Sequence, residues 1–363
     1  EILIFFLISS LALTLIVWVI QAVNYLDIVT EDGHSFGVYF NYTALSLPKL
    51  FSQLMPFVFF LSVFYIILVY EEKNQLLVFW SHGISKKKFI DQLIQFSLFF
   101  LIIQLLLATI VVPYTNNKSR SFIRSSTLDF FPNLIKPKKF IDTVEGLTIF
   151  IDSKNKEGIY KNIILKDITN SNNVQTIIAQ TGRIVSLRSK KMLLLNNGQI
   201  IQTNFKKEIT TFNFEETQFD LSKYSSKTTK EPKIQELGTG NLIKCMKFLS
   251  DNLEEKLFLK NLTCERNFLT SLVQELFKRI YLPFYIVLMA LISSLLILKS
   301  KNVPRYSTFK ILVFVIGVLF LTIPKILLNL TGINYLNNLL FILFPIFSYV
   351  AIYQYVTLKV KFN

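Results

Sequence analysis

Few side chains in this sequence have the chemistry to bind a metal or to react with a substrate. The only histidines are His34 and His82, which argues against a multi-histidine metal site. Cys245 and Cys264 would pair in an oxidising compartment or stay as two free thiols, and the sequence leaves both open. It contains no GxxxxGK(S/T) phosphate loop, no HExxH, no GxSxG and no paired carboxylates at the end of an apolar run. We therefore predict a chain that is not an enzyme and binds no metal or cofactor of its own.

Residues 71–89, EEKNQLLVFWSHGISKKKF, have the pattern of a short amphipathic helix. The acidic start favours a helix N-terminus. Leu76, Phe79 and Trp80 fall on one helical face, and Gly83 ends the helix. Such a helix can lie on a membrane, connect two neighbouring elements or dock against a cytosolic partner, and the sequence leaves these alternatives open.

Long runs without charged residues indicate the helices of this chain. The runs without Asp, Glu, Lys or Arg are residues 2–26, 51–70, 92–117, 280–298 and 326–358. A bilayer core requires about 20 mostly apolar residues per helical span, and charge inside it is costly. The runs therefore predict a polytopic α-helical membrane protein. The composition agrees, since 52% of the residues are hydrophobic.

The last charge-free run is longer than one span, and a shorter apolar run at 311–324 precedes it. We divide this region at Thr331-Gly332 and near Asn337-Asn338, which gives a fifth span at 309–329 and a sixth at 336–357. The prediction is therefore six spans, three on each side of a polar middle. Lys325 lies near the outer end of the fifth span, where it either extends to the interface or contacts an anionic lipid head group.

The short segments between spans predict the orientation of the chain. Basic residues concentrate at 86–88 and 299–310, whereas Asp27, Glu31 and Asp32 follow the first span. By the positive-inside rule, both termini lie in the cytoplasm and the insert lies outside, in the periplasm of a Gram-negative cell. The net charge of +15 does not indicate nucleic-acid binding, because the basic residues are scattered without an aromatic-interleaved stripe.

The polar middle is predicted to be a β-rich domain at 114–240 that ends in a polar linker. Short segments rich in Ile, Thr and Phe occur at residues 147–152, 159–168, 175–179, 183–187, 191–195, 199–203 and 208–219. Turn signals at 170–173, 181–182 and 196–198 separate them, and seven strands at this spacing are typical of a sandwich or jelly roll. A helical segment at 241–272 follows. The membrane parts are then residues 1–113 and 273–363.

Three segments resemble the LptF/LptG permease family, also called YjgP/YjgQ. They are QAVNYLDIV at 21–29, EKNQLLVFWSHGISKKKFI at 72–90 and QELFKRIYLPFYIVLMALISSLLIL at 274–298. Their order and spacing, and the size and position of the insert, are similar to the family over essentially the whole chain. The SHG at 81–83 and the stretch from Phe214 to Asp220 resemble LptF more than LptG.

The resemblance implies the transmembrane permease subunit of an ABC-type lipopolysaccharide exporter. It implies a heterodimer with a second, LptG-like permease above an LptB-like ATPase dimer, joined by an LptC-like subunit and an LptA-like bridge. Lipopolysaccharide would leave the outer leaflet of the inner membrane and pass through a periplasmic β-jellyroll between helices 3 and 4. ATP would be used by the partner subunit alone.

The resemblance also implies roles for particular residues. ATPase coupling would fall to Glu72, Gln75, Leu76, Phe79, Trp80 and Gly83, with Gln75 standing where the family commonly has Glu. Asn24 stands where relatives often have a basic residue, so Lys278, Arg279 and Lys325 are predicted to contact the lipid head group in its place. The alternative for Glu275, Lys278 and Arg279 is an exposed, internally paired helical turn.

In the β domain, acyl chains crossing an aqueous space need a continuous apolar groove. We predict that its lining includes Ile149, Ile151, Ile164 and Ile178, although one sequence does not supply the register that decides which residues face inward.

Three other classes remain open from the sequence. A permease of another ABC envelope-lipid or lipoprotein-release system also combines few spans with a large insert, but its usual layout is one span, the insert and three spans. A membrane-bound enzyme would need an acidic cluster at a span end. A non-transporting sensor or scaffold is disfavoured only by the family resemblance.

Overall fold

The computed structural model describes residues 1–30, 35–125, 137–144, 146–155, 158–168, 173–187, 190–204, 208–221, 233–250, 258–259, 262–264 and 269–362. The chain divides into two compact units. One comprises Glu1–Ile20, Ser46–Asn117 and Pro232–Asn363, and the other comprises Gln21–Leu45 and Lys118–Glu231. The predicted division kept residues 21–45 with the first spans, whereas the structure groups them with the unit that contains the β domain.

The helices before the β domain alternate long spans with short connectors. They are α1 Ile2–Asn24, α2 Asp27–Thr30, α3 Phe36–Ala44, α4 Leu47–Glu72, α5 Gln75–Ser81, α6 Lys86–Leu106, a π-helical turn at Leu107–Val111 and α7 Val112–Ser125. Those after it are a 3₁₀ turn at Ile234–Glu236, α8 Thr239–Ser250, α9 Leu269–Ile280, α10 Tyr285–Ser294, α11 Tyr306–Leu330 and α12 Tyr335–Phe362, with further 3₁₀ turns on either side of α10.

Within the described ranges, six helical segments are long and apolar enough to cross a membrane, which confirms the predicted spans. They cover Ile2–Val29, Phe36–Glu72, Lys86–Ile123, Leu269–Leu298, Tyr306–Leu330 and Tyr335–Val360. Three of them precede the β domain and three follow it.

The fourth span lies at the centre of the membrane unit. Its most apolar window is 78% buried, against 17% for the first, fifth and sixth spans. Every residue of α10 is buried, and α10 packs against α4, α6, α11 and α12. A helix that is apolar on all sides belongs in an interior. The hydroxyls of Ser293 and Ser294 donate to carbonyls of their own helix and so need no outside partner.

A glycine sets the distance between α4 and α11. A Cβ atom at Gly317 would lie 2.1 Å from the ring of Phe60, a fully buried side chain of α4. The two helices therefore approach each other across a position that holds no side chain, as is common between membrane helices.

The inserted β domain is confirmed, with different strand boundaries from those predicted. Its strands are β1 Phe140–Val144, β2 Leu147–Lys154, β3 Ile159–Asp167, β4 Asn173–Leu187, β5 Lys190–Asn204 and β6 Ile209–Asp220. They form one antiparallel sheet in chain order. The predicted turns at 181–182 and 196–198 were wrong, because both lie inside long strands, and β1 was not predicted.

The misread turn signals mark a line along which the sheet bends. Asn162 and Asn197 have positive φ angles of 50° and 51°, and the regular pairing is interrupted at both. A Cβ atom at Gly198 would lie 2.1 Å from the Ile178 carbonyl oxygen, so the close approach of two strands requires glycine. The bend therefore uses the residue types that also make turns.

The bend shifts the alternation of inward and outward side chains. In β4 the inward residues are Ile177 and Ala179 before the bend, and Ile184 after it. In β5, Leu193 and Leu195 face inward on one side of the bend and Ile200 on the other. Residues from both sides belong to one buried apolar cluster.

Gly317→Ala should destabilise the membrane unit because the added methyl group forces the buried Phe60 ring to move. We expect a loss of about 1–3 kcal/mol in the free energy of unfolding, measured as a lower unfolding temperature of the full chain in detergent. Gly240→Ala is the matched control, since a Cβ atom there meets nothing within 4 Å. Equal unfolding temperatures for the two variants would contradict the close approach.

Candidate functional site

A cavity of about 610 Å³ opens among the spans of the membrane unit. Residues of α4, α6, the π-helical turn, α7, α9, α10 and α11 contribute to its wall, together with Gln235 of the first 3₁₀ turn and Leu282 of the 3₁₀ turn before α10. One part of the wall is charged and the rest is mainly apolar. The apolar residues include Leu54, Phe57, Val112, Leu282, Leu321 and Leu328.

The charged part of the wall holds four cations and one carboxylate. Lys49 lies in the first turn of α4, Lys278 and Arg279 in the last turn of α9, and Lys325 near the end of α11. The carboxylate is Glu275. The structure thus brings the three predicted head-group residues to one cavity and adds Lys49, which the sequence reasoning missed.

Arg279 is a positioning residue rather than a free cation. It is only 3% exposed, and its Nε donates to Glu275 at 2.9 Å. Its Nη1 donates to the Leu237 carbonyl at 2.7 Å and to the Thr239 hydroxyl at 3.1 Å, and its Nη2 donates to the Gln235 carbonyl at 3.1 Å. These bonds occupy the guanidinium, so the prediction that Arg279 contacts a lipid head group is corrected: it fastens residues 235–239 to α9.

The lysines of the cavity keep donors for a ligand. Lys278 makes one ion pair, 3.3 Å from Glu275, and that carboxylate already accepts from Arg279. Among the described residues, neither Lys49 nor Lys325 has a carboxylate within ion-pair distance. The alternative of an internally paired helical turn at Glu275, Lys278 and Arg279 is therefore present, but the turn is largely buried rather than exposed. One carboxylate pairs with two cations, so only part of the positive charge is neutralised.

An excess of positive charge in a mainly apolar wall defines what the cavity can hold. Uncompensated cations in a membrane interior are costly and are usually paired with an anion. A small hydrated ion alone would leave the apolar part of the wall without a matching partner. The cavity therefore suits an amphiphile with an anionic head group.

The segment predicted to couple to an ATPase contains α5, whose predicted face packs partly against the spans of this chain. The chain turns at Asn74, which has a φ of 57°, and Leu76 is only 2% exposed inside the membrane core. Phe79 and Trp80 contact the ring of Phe89 at 5.7 and 5.8 Å. Leu76 is therefore buried within this chain, whereas Phe79 and Trp80 are partly buried, and their predicted contact with a partner's groove stays a prediction.

The exposed side of α5 is carried by its other apolar residues. Leu77 is 66% exposed and Val78 is 53% exposed, and Gln75 is partly buried. Gly83, with a φ of 78°, ends the segment as predicted.

Glu71 and Glu72, which precede α5, accept hydrogen bonds from the segment between the fourth and fifth spans. The backbone N–H of Lys301 donates to Glu71 Oε1 at 2.7 Å, and its Nζ donates to the Glu72 carbonyl at 3.0 Å. Lys310 Nζ lies 4.0 Å from Glu72 Oε1. Glu72 was predicted to contact an ATPase, and this weak, exposed pair leaves its carboxylate accessible.

The four residues predicted for an acyl-chain groove lie on two faces of the sheet. Ile149 and Ile151 are fully buried inward, whereas Ile164 pairs with Phe150 and Ile178, on the opposite face. Side chains alternate along a strand, so the two pairs cannot line one surface. The predicted set is corrected to Ile149 and Ile151, whose inward neighbours are Ile163, Leu165 and Ile177.

Cys245 and Cys264 form a disulfide with a Cα–Cα distance of 6.0 Å. The bridge joins α8 to a residue shortly before α9, and it packs with Leu242, Leu272 and Leu276 in a small apolar cluster. It therefore fixes the approach to the helix that carries Lys278 and Arg279.

Six spans, an inserted β domain and an amphipathic cavity define a polytopic membrane permease. The chain matches the family model of the lipopolysaccharide export system permease LptF/LptG over residues 1–359, and it belongs to that family. It is thus a multi-pass inner-membrane transport subunit of lipopolysaccharide export. The match does not separate LptF from LptG. No curated protein matches the chain.

Arg279→Gln should cost about 3–5 kcal/mol of stability because it breaks a buried, hydrogen-bonded pair. The expected result is a clear fall in the unfolding temperature of the full chain in detergent. Lys278→Gln on the same helix turn is the control and should cost far less, since Lys278 has one ion pair and is partly exposed. Similar losses in both variants would refute a structural role specific to Arg279.

Proposed function

We propose that this chain is the permease of an ABC-type exporter that takes lipopolysaccharide from the outer leaflet of the inner membrane into the cavity between its spans. The observation that carries the proposal is that Lys49, Lys278 and Lys325 all line one cavity whose wall is mainly apolar. A phosphorylated lipid would supply the anion that Lys49 and Lys325 lack among the described residues, and its acyl chains would contact the apolar part of the wall.

The orientation follows from the distribution of charge along the spans. Lys49 and Glu72 lie at opposite ends of α4, about 35 Å apart by the rise of an α-helix. The end that carries Glu72 and α5 is flanked by the basic residues at 86–88 and 299–310, which supports a cytoplasmic location for it and for both termini. The cavity lysines then face the periplasmic side, where an oxidising compartment also favours the disulfide.

Energy for export has to come from another subunit, because the sequence contains no phosphate loop and is expected to bind no cofactor of its own. We place an LptB-like ATPase dimer, which would bind the ATP, against α5 at Leu77 and Val78. These two side chains are apolar and exposed. They are more exposed within this chain than Leu76, Phe79 and Trp80, the residues that the sequence predicted for this contact.

The remaining partners follow from the family. The first, fifth and sixth spans are largely unburied within this chain, which supports a second, LptG-like permease across from it. An LptC-like subunit and an LptA-like bridge would receive the lipid from the β domain. The inward face around Ile149 and Ile151 is the apolar surface that would carry its acyl chains.

Replacing the cavity lysines should weaken lipopolysaccharide binding. Lys49→Gln and Lys325→Gln each remove a charge-assisted contact, and we expect about a tenfold or greater increase in the Kd for lipopolysaccharide. The measurement is binding of labelled lipopolysaccharide to the purified chain in nanodiscs.

Lys244→Gln is the matched control for this measurement. Lys244 is exposed on α8 and is not part of the cavity wall, so its Kd should equal that of the wild type. If all three variants bind as the wild type does, the cavity is not the lipid site.

Leu77→Asp should abolish coupling without unfolding the chain, because Leu77 is exposed. The expected result is loss of the ATPase on co-purification from native membranes, with the unfolding temperature of the permease unchanged. Leu76→Asp is the contrasting change and should unfold the chain, since it buries a carboxylate. A wild-type chain that purifies without any ATPase or second permease would favour the sensor or scaffold instead.

A further inference from the structure

One part of the cavity wall is a short stretch of chain that is not a membrane span. We call residues 233–239 the strap; it contains the 3₁₀ turn Ile234–Glu236 and, in the sequence, follows the β domain. Of the described residues that line the cavity, Gln235 alone lies outside the six candidate spans. A change in the position of the strap would therefore alter the cavity wall without requiring a span to shift.

The strap is bonded to two elements of the cavity wall, α9 and the π-helical turn. Arg279 of α9 donates to the carbonyls of Gln235 and Leu237 at 3.1 and 2.7 Å. The Thr239 hydroxyl donates to the Thr109 carbonyl in the π-helical turn at 2.5 Å, and it also accepts from Arg279 at 3.1 Å. Both elements supply residues that line the cavity, so the strap fastens the third span to α9 at the wall.

The strap lies where the apolar part of the membrane unit ends. The charge-free runs of the second and fourth spans begin at Phe51 and Ile280, shortly after Lys49 and Arg279. Because a membrane core excludes charge, these cations mark its boundary. The strap, which is bonded to Arg279, is at the same boundary, and its residue Gln235 is exposed. The charged end of the cavity is therefore the end at which it can open to water.

Hydrogen bonds hold the strap more than packing does. Ile234 and Leu237 are only partly buried against the apolar cluster of α8 and α9. The buried Glu236 carboxylate accepts from the backbone N–H of Lys233 at 3.3 Å, and this bond moves with the strap. A segment with few buried apolar contacts opens locally at a lower cost than the unfolding of the whole domain. The bonds of Arg279 and Thr239 are therefore the main barrier to its release.

The disulfide keeps the neighbouring helices in place when the strap moves. Cys245 on α8 and Cys264 before α9 are 1% and 5% exposed, and they pack with Leu272 and Leu276 of α9. Since α8 begins at Thr239, the bridge holds the chain that follows the strap against α9. Movement is thus confined to the residues before α8.

We infer that the strap is a movable gate, and that release of its bonds to Arg279 and to the third span opens the cavity to water at its charged end. The inference deepens the proposed function and rests on it for the ligand, because a lipid with a large polar head group needs an opening at that end to leave the membrane. The closed strap is the major state, since opening leaves buried donors of Arg279 unpaired. A ligand that fits the opened cavity would shift the population.

The test measures how fast a water-soluble reagent reaches the cavity. Ala108 lines it in the π-helical turn, so Ala108→Cys places a thiol there, and the bridged Cys245 and Cys264 offer no free thiol. The probe is an anionic, membrane-impermeant methanethiosulfonate, applied to the full chain in nanodiscs. Thr239→Val removes the hydroxyl that bonds the third span and Arg279 while keeping the shape of the side chain. It should accelerate labelling about tenfold.

Thr115→Val is the matched control for this change. Thr115 lies on the same span as the reporter thiol but does not line the cavity, and its hydroxyl donates to the Val112 carbonyl of its own helix at 3.2 Å. Labelling of Ala108→Cys should keep its rate in this variant. A second reporter, Ser293→Cys, lies in the fully buried α10 and should stay unlabelled with or without Thr239→Val, because the strap does not cover it.

The outcomes separate the gate from the proposed function. An unchanged labelling rate in Thr239→Val refutes the gate. Faster labelling of both Ala108→Cys and Ser293→Cys refutes it as well, since the whole bundle has then loosened. Neither result bears on the proposed function, which stands if Lys49→Gln weakens lipopolysaccharide binding. Faster labelling of Ala108→Cys alone, with an unchanged Kd in Lys49→Gln, would support the gate and refute the lipid site.

Discussion

Compensation of charge inside the helical bundle is the constraint on which this structure depends. Glu275 pairs with both Arg279 and Lys278, and Arg279 in turn holds the chain at 235–239 through three further hydrogen bonds. Removing that carboxylate would leave two cations without a counter-charge and the end of the linker without its anchor. The same carboxylate does not also pair with Lys49 and Lys325, so the cavity wall keeps an excess of positive charge.

The regular backbone hydrogen bonding of the helices around the cavity is interrupted at several residues that line it. Pro56 and Pro324 free backbone carbonyls, and the π-helical turn at Leu107–Val111 interrupts the third span beside them. The Thr239 hydroxyl donates to the Thr109 carbonyl within that turn at 2.5 Å, and it accepts from Arg279. Irregular backbone at membrane depth is tolerated where it lines a cavity or is bonded by neighbouring elements, and both conditions hold here.

The sequence was sufficient for the features that depend on local composition. Charge gaps predicted the spans because the bilayer penalises charge over every stretch of about 20 residues, whatever the tertiary contacts. It was insufficient where neighbouring elements decide. Leu76 falls on one helical face with Phe79 and Trp80, but only the packing of the spans determines that Leu76 is buried and the other two are partly buried. Lys49 was missed because a lone cation at a span end has the same pattern at a lipid interface as in a cavity. The prediction placed a turn inside β4 because Thr181-Gly182 has the composition of a turn, whereas in the structure these residues lie at the bend of a continuous strand.

Because of the bend in the sheet, a change in the length of one strand would change which of its side chains face inward relative to the neighbouring strands. In β3, β4 and β5 the inward positions change between odd and even residue numbers at the bend: Tyr160 and Ile163 face inward in β3, and Leu195 and Ile200 in β5. A one-residue deletion at Gln180 would reset the alternation in β4 alone and turn half of that strand inside out relative to its partners. Insertions and deletions in this domain are therefore tolerable at strand ends, one loop at a time, but across the bend they would have to occur in all three strands together.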